Sequence, residues 1–223
     1  MNFKNVISSF KGKNVLIIGD VMLDNYLWGK VERISPEAPV PIVSVRKKES
    51  RLGGAANVAI NIRALGANPI LCSVIGLDHN GRAFIEMLHQ LEMTSEGLVQ
   101  SDNRPTTVKT RIIGNNHQML RVDEENDGDI SATEKKHVLN RIQSILDKKN
   151  IDVIIFEDYD KGVISRSLID QVVKTARQKG IPTAVDPKKR NFNHYKNVTF
   201  FKPNLKELKE GMKLDLEKGD LEE

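Results

Sequence analysis

Residues 13–20 read KNVLIIGD. Four consecutive apolar side chains, Val15 to Ile18, closed by Gly19 and Asp20, predict a short strand buried on both faces, as in a parallel sheet. Such a strand needs helices above and below it, and the flanking segments supply them. Beyond Gly53 and Gly54, the stretch RLGGAANVAI (51–60) opens a helix. It sets Ala55, Val58, Ala59, Ile62 and Leu65 on one face and stops at Gly66. PILCSVIG (69–76) is a second strand, followed by a helix with Phe84, Met87, Leu88 and Leu91 inward. Ser131 and Glu134 form a capping-box pattern that opens a helix carrying Val138, Ile142, Ile145 and Leu146. IDVIIFED (151–158) is a strand, 165–179 a helix, and PTAVD (182–186) and VTFFKPN (198–204) are strands. This alternation predicts an α/β fold with ligands beyond the carboxyl ends of the strands.

Two stretches break the alternation. WGKVERISPEAPVPIVSVRKKE (28–49) holds three prolines and no helical period, and PTTVKTRIIGNNHQMLRVD (105–123) reads as two strands around a Gly-Asn-Asn turn. Together they predict a small inserted β-sheet, serving as a lid over the strand ends or as a dimer interface. Within it Lys109 and Arg111 alternate onto one face. A two-residue turn at Asn115-Asn116 sets Arg111 opposite Leu120, whereas a three-residue bulged turn sets it opposite Arg121.

The 223 residues carry 34 basic and 30 acidic side chains, a net charge of +4 too thin and dispersed to argue for nucleic acid. Cys72, the single cysteine, lies in an apolar run and reads as a buried thiol. Residues 1–20 lack a signal-peptide pattern and no apolar run would cross a bilayer, so the expectation is a cytoplasmic protein without membrane contact.

Polar residues gather where the strands end: Asp20 and Asp24 after the first, Asp158 and Lys161 in EDYDKG, Asp186 and Lys188 in DPKKR, Asn204 and Glu207 in KPNLKE. Any one aspartate there is as readily a cap or turn residue. Four strand ends so furnished point to a site. Asn204 and Glu207 share one face of a helix start, where a carboxylate suits magnesium held through water. The inserted sheet's basic residues suit a substrate phosphate.

GDVMLDNYLWGKVERISPEAPVPIV, GGAANVAINIRALGA, RPTTVKTR, LRVD, DYDKG, DPK and PNLKE, in that order from about Lys13 to Gly211, resemble the ribokinase-like (PfkB) carbohydrate kinases. RISPEAPVP with RPTTVKTR narrows the resemblance to the D-glycero-β-D-manno-heptose 7-phosphate kinases. These often form the first domain of a bifunctional kinase/adenylyltransferase. The resemblance implies a ribokinase-like three-layer α/β/α fold with a mostly parallel sheet and a β-sheet lid from segments 26–50 and 105–123. It implies transfer from ATP, with Mg2+, to the C1 hydroxyl of the heptose 7-phosphate, giving the 1,7-bisphosphate for ADP-heptose and lipopolysaccharide core synthesis. Gly53 and Gly54 would let the helix start approach the sugar. Asn57, Asp20 and Asp24 would bind its hydroxyls, Lys161 would lie near it, and Lys109, Arg111 and Arg121 would hold its 7-phosphate. Asp186, Lys188, Asn204 and Glu207 would face the nucleotide, with Glu207 holding Mg2+ through water. A homodimer through the inserted sheet is expected.

One departure stands out. These kinases carry a D-T-x-G-A-G-D stretch whose last Asp takes the hydroxyl proton, and no such stretch occurs in the 223 residues. Asp220 with Leu-Glu-Glu reads instead as a helix N-cap with an acidic first turn. The expectation is that 1–223 is the N-terminal portion of one kinase domain, C-terminally truncated and inactive alone. Activity would require a base among Asp158, Asp160 and Asp186. The alternatives are a kinase of another sugar phosphate, such as a hexose phosphate, and a non-catalytic sugar-phosphate-binding or dimerisation module. A dinucleotide-binding Rossmann domain is excluded, because no G-x-G-x-x-G follows the first strand.

Overall fold

The computed structural model describes residues 3–213. The stretch after Asp220 lies outside them. The opening strand is β1 (Asn14–Gly19), and with β4 (Asn68–Gly76), β5 (Leu98–Ser101), β8 (Val153–Glu157), β9 (Thr183–Asp186) and β10 (Phe200–Phe201) it forms a sheet ordered β10-β9-β8-β1-β4-β5, parallel throughout. β1 divides the core. Leu16 and Ile18 pack toward α4 (Ala132–Lys148) and α5 (Arg166–Gln178), while Val15 and Ile17 pack toward α2 (Ala55–Ala64) and α3 (His79–Gln90). Helices on both faces make the three layers expected of this alternation.

Local chemistry explains the helix starts. Ser131 accepts the Glu134 N–H while the Glu134 carboxylate accepts the Ser131 N–H, a complete capping box. Asp78 caps α3 through the Gly81 N–H. Three elements lack a signal in the sequence: the N-terminal α1 (Phe3–Ser8), the edge strand β5 and a single 3-10 turn at Phe192–His194. Leu65, expected on the inward face, is exposed because it is the C-cap of α2, past the last inward turn, and Ala56 is buried instead.

After Asp20 the chain leaves β1 directly into β2 (Val21–Ile34), which with β3 (Pro41–Gly54), β6 (Val108–Gly114) and β7 (His117–Glu124) builds a four-stranded sheet, order β3-β2-β6-β7. Only the β2–β6 pair is parallel. This sheet takes more chain than the 26–50 segment anticipated, because β2 and β3 pair from Val21↔Gly54 outward. The β6–β7 turn combines the two readings left open. Asn115 and Asn116 both have positive φ, as a two-residue hairpin turn demands. The ladder then slips by one residue at Met119, so Arg111 stands opposite Arg121.

Candidate functional site

Register places the charged side chains of the small sheet on one face. Arg51, Asp24, Lys109 and Asp123 are partners across its four strands, and two residues along, Glu49, Tyr26, Arg111 and Arg121 form the next row. Directly opposed residues share a face, so one side of the sheet is a grid of charge around Tyr26, alternating in sign along the first row and setting Arg111 beside Arg121 in the second. The Arg111 guanidinium donates to Asp24 at 2.5 Å, and Arg121 donates twice to Asp123, at 2.8 and 2.9 Å. Lys109 reaches Asp123 at 3.0 Å and Glu125 at 2.7 Å. Arg51 and Arg111 stand over the Tyr26 ring, 5.0 and 5.4 Å from its centroid. Asp24, Tyr26, Arg51 and Asn57 line a cavity of about 580 Å³ against α2 and α3.

Gly53 and Gly54 sit where a side chain has no room. A Cβ on Gly53 would collide with the Asp24 carboxylate, and one on Gly54, held at φ 59°, with the Asp20 carbonyl. That carbonyl accepts the Ala55 N–H and so fixes the start of α2, from which Asn57 projects exposed.

Asp20 is 1% exposed, and its carboxylate accepts three backbone N–H groups, from Tyr159 and Lys161 on one oxygen and Val163 on the other. Burial pushes its pKa up, against the pull of those three donors and with a smaller push from Asp158. Asp20 therefore shapes the 158–163 loop. Asp158 is equally occupied, accepting from Asn191, from the Tyr195 hydroxyl and from the Asp160 N–H. The loop faces two ways. Its Lys161 ammonium pairs with Glu125 at 2.6 Å, beside the charged grid, and its Tyr159 ring lies 5.8 Å from the Lys188 ammonium.

Lys188 belongs to a second cluster beyond β8, β9 and β10. It bonds Glu207 and lies 4.0 Å from Asp186, which also accepts from Lys202 at 3.2 Å. Asn204 and Glu207 form a second complete capping box at the start of α6 (Leu205–Met212). Both Glu207 oxygens are engaged, one by the Asn204 N–H and one by Lys188. Burial alone would raise the Glu207 pKa, but Lys188 and the Asn204 N–H hold it below the usual carboxylate range. An ionised carboxylate with one further lone pair per oxygen fits a magnesium ion that keeps its waters. Glu157 closes the group, paired in register with both Gly19 and Asp186.

Of the grid, the sequence points to Asp24, Lys109, Arg111 and Arg121, and not to Tyr26, Arg51, Asp123 or Glu125. Asp123 and Glu125 lie in an ordinary-looking acidic stretch, and Tyr26 and Arg51 declare themselves only through register. Charged residues at every second position, Lys47, Glu49 and Arg51 in one segment and Arg121, Asp123 and Glu125 in the other, were the available signal.

A family profile described as pfkB family carbohydrate kinase matches residues 12–223. The chain is 41% identical over 206 residues to the bifunctional protein HldE of Syntrophotalea carbinolica, covering 92% of this chain and 42% of that protein. It is 40% identical over 205 residues to the bifunctional protein HldE of Helicobacter pylori strain HPAG1, covering 92% and 44%. The chain thus spans less than half the length of these curated relatives. Among solved structures, the tetrameric inhibited form of phosphofructokinase-2 from Escherichia coli superposes with TM-score 0.72 at 17% identity, over 94% of this chain and 66% of that one. Arabidopsis thaliana ribokinase complexed with ribose and ATP gives TM-score 0.60 at 16% identity, over 89% and 62%. At those identities the solved structures speak for the fold alone.

Proposed function

The chain belongs to the pfkB family of carbohydrate kinases, and on that premise we propose that it forms the sugar-binding part of an ATP-dependent kinase of D-glycero-β-D-manno-heptose 7-phosphate. The observation that carries this reading is the charged grid beside the cavity: Lys109, Arg111 and Arg121 stand on the same sheet face as Asp24, which lines the cavity with Asn57. A phosphorylated sugar needs that combination, hydroxyl acceptors in a pocket and cations at one end. The HldE names of the relatives favour the heptose over another sugar phosphate.

In this reading Asp24 and Asn57 bind the sugar hydroxyls, and Gly53 and Gly54 let it lie close to α2. Lys109, Arg111, Arg121 and Lys161 meet the 7-phosphate. Asp20 acts at one remove by holding the loop that presents Lys161. On the other side Lys188, Asp186 and Asn204 face the nucleotide, and Glu207 would hold Mg2+ through water, which supplies charge neutralisation for the phosphates. The C1 oxygen attacks the γ-phosphorus, its bond to the β-phosphate oxygen breaks, ADP leaves, and the hydroxyl proton passes to a base. Asp158 has both oxygens occupied, and no Gly-Ala-Gly-Asp stretch occurs in these residues. In this reading the 223 residues alone bind the sugar phosphate and turn it over at well below about 1 s⁻¹, the low end of ordinary enzyme rates.

The opposite face of the small sheet supports a homodimer. Leu27, Ile112, Leu120 and Val122 share it by register, and Leu120 and Val122 are 56% and 42% exposed.

The test is calorimetric binding of the heptose 7-phosphate and of the unphosphorylated heptose. Lys109→Ala and Arg111→Ala are each expected to cost about 1.5–3 kcal/mol with the phosphorylated sugar and little with the other. Equal losses with both would assign these residues to holding the sheet.

A further inference from the structure

The site contains its own anion. Glu125, on the segment leaving β7, spans two ammonium groups, Lys109 at 2.7 Å and Lys161 at 2.6 Å, one from each side of the site. Both backbones beneath it are anchored. Arg104 donates to the carbonyls of Asn126 and Lys161, at 2.6 and 2.5 Å, and the Lys161 N–H is held by Asp20. The three charged side chains are partly buried, between 14% and 23% exposed, so water screens them only in part. On loss of Glu125, Lys109 keeps Asp123 as a partner. The Lys161 ammonium pairs only with Glu125 among the described residues.

We propose that Glu125 competes with the substrate phosphate for Lys109 and Lys161, holding the two ammonium groups together until a dianion replaces it. This rests on the reading that these lysines take the phosphate. A phosphate dianion and a carboxylate on the same two ammonium groups repel one another, so the carboxylate must give way or weaken binding. A neutral hydroxyl cannot make up two charge-assisted bonds, and Glu125 therefore biases the site toward phosphate esters over plain sugars. The carboxylate also keeps Lys109 and Lys161 from repelling one another in the ligand-free protein. Burial would raise its pKa, but the two lysines pull it below the usual carboxylate range, so it carries its charge at neutral pH.

The test is titration calorimetry on the 223-residue chain with the heptose 7-phosphate, and with inorganic phosphate as a probe free of sugar contacts. Glu125→Gln is expected to bind both about 3- to 10-fold more tightly, the scale of one or two partly screened ion pairs. Glu125→Asp keeps the charge but is too short to span both groups, and it tightens binding by a smaller factor. Glu124→Gln, the same charge change one residue earlier on an exposed side chain, stays within about twofold. In a Lys161→Ala background the gain from Glu125→Gln shrinks, because the shared partner is gone. Unchanged or weaker binding by Glu125→Gln, with Lys109→Ala and Lys161→Ala still weakening it, overturns the inference, makes Glu125 a fixed positioning residue and leaves the phosphate reading intact. If neither lysine variant weakens binding of the sugar phosphate, the phosphate reading falls and the inference falls with it.

Discussion

In the six-stranded sheet, β1 runs Val15 to Ile18 between two apolar cores, and its first charged residue, Asp20, comes only after the strand has ended. In the four-stranded sheet, β2 carries Asp24 and Tyr26 in mid-strand, flanked in register by Arg51, Lys109 and Arg111. A sheet covered on both faces can show chemistry only at its ends, whereas a sheet with one face turned to a cavity can show it along its whole length. The second arrangement has a cost. Charges crowded onto one face need partners of opposite sign: Arg111 stands directly opposite Arg121, and the two are neutralised from neighbouring positions, Arg111 by Asp24 and Arg121 by Asp123, while Lys109 faces Asp123 itself.

The sharpest way to break this contrast is to compare truncations in the two sheets. Phe156→Ala, in β8 with its ring edge-on to Tyr195 at 5.8 Å, is expected to cost about 3–5 kcal/mol in urea unfolding. Arg121→Ala, half-exposed on the small sheet, should cost less than about 1 kcal/mol. Equal losses would mean that the small sheet carries the fold as well as the site.

Leu120→Asp tests the other face of the small sheet. If a second copy covers it, a charge there should raise the dimer dissociation constant roughly a hundredfold. Light scattering reads the outcome, while the charged grid and its affinity for the heptose 7-phosphate stay as they were. A wild-type chain that is monomeric at high concentration removes the homodimer from the proposal.

Glu157 sharpens the account of the strand ends. Burial, with the neighbouring Asp186 charge and against Lys188 and Lys202, lifts its pKa from 4.5 to about 7. The folded chain then keeps a proton that the unfolded chain has released, so this residue's contribution to stability falls as pH rises from about 4.5 to about 7. Glu157→Gln removes that loss. The variant should be more stable than the wild type by about 1–3 kcal/mol at pH ~8 and no more stable near pH ~4.5, read from urea midpoints.

The smallest expected effect lies in the hairpin. Asn115 ties the turn to β2 through the Val31 N–H and carbonyl, whereas Asn116 only has to hold φ 65°. Asn116→Gly should add a few tenths of a kcal/mol to thermal stability, and Asn115→Gly should not, because it gives up the two bonds to Val31.

These elements also show what a single sequence discloses. The β1, β4, β8 and α4 segments were legible because burial on both sheet faces, or on one helix face, writes itself as an uninterrupted or periodic apolar pattern. Polar residues at the strand ends followed from the same logic, and Asp20, Asp158, Asp186 and Glu207 are indeed gathered there, each already held by hydrogen bonds or ion pairs. The charged grid was legible only in part. Which residues face one another across β6 and β7 depends on a single-residue slip at Met119, and no residue type announces such a slip. Asp123 meets Lys109 through register, and Glu125, just past β7, meets Lys109 and Lys161 only through the fold. β5 was missed because four residues, Leu98–Ser101, are too few to establish a period.

The three N–H groups that converge on Asp20 also govern when the site comes into being. They join residues 139 to 143 positions apart in the chain, so the loop bearing Tyr159 and Lys161 has no scaffold until β8 has docked beside β1. Parallel pairing across such a span is among the slow steps of folding, because the intervening chain must be closed before any contact repays it. Asp20 thereby makes ligand competence a late event in the life of the chain: partly folded species, however rich in helix, would carry the lysines without the geometry to use them.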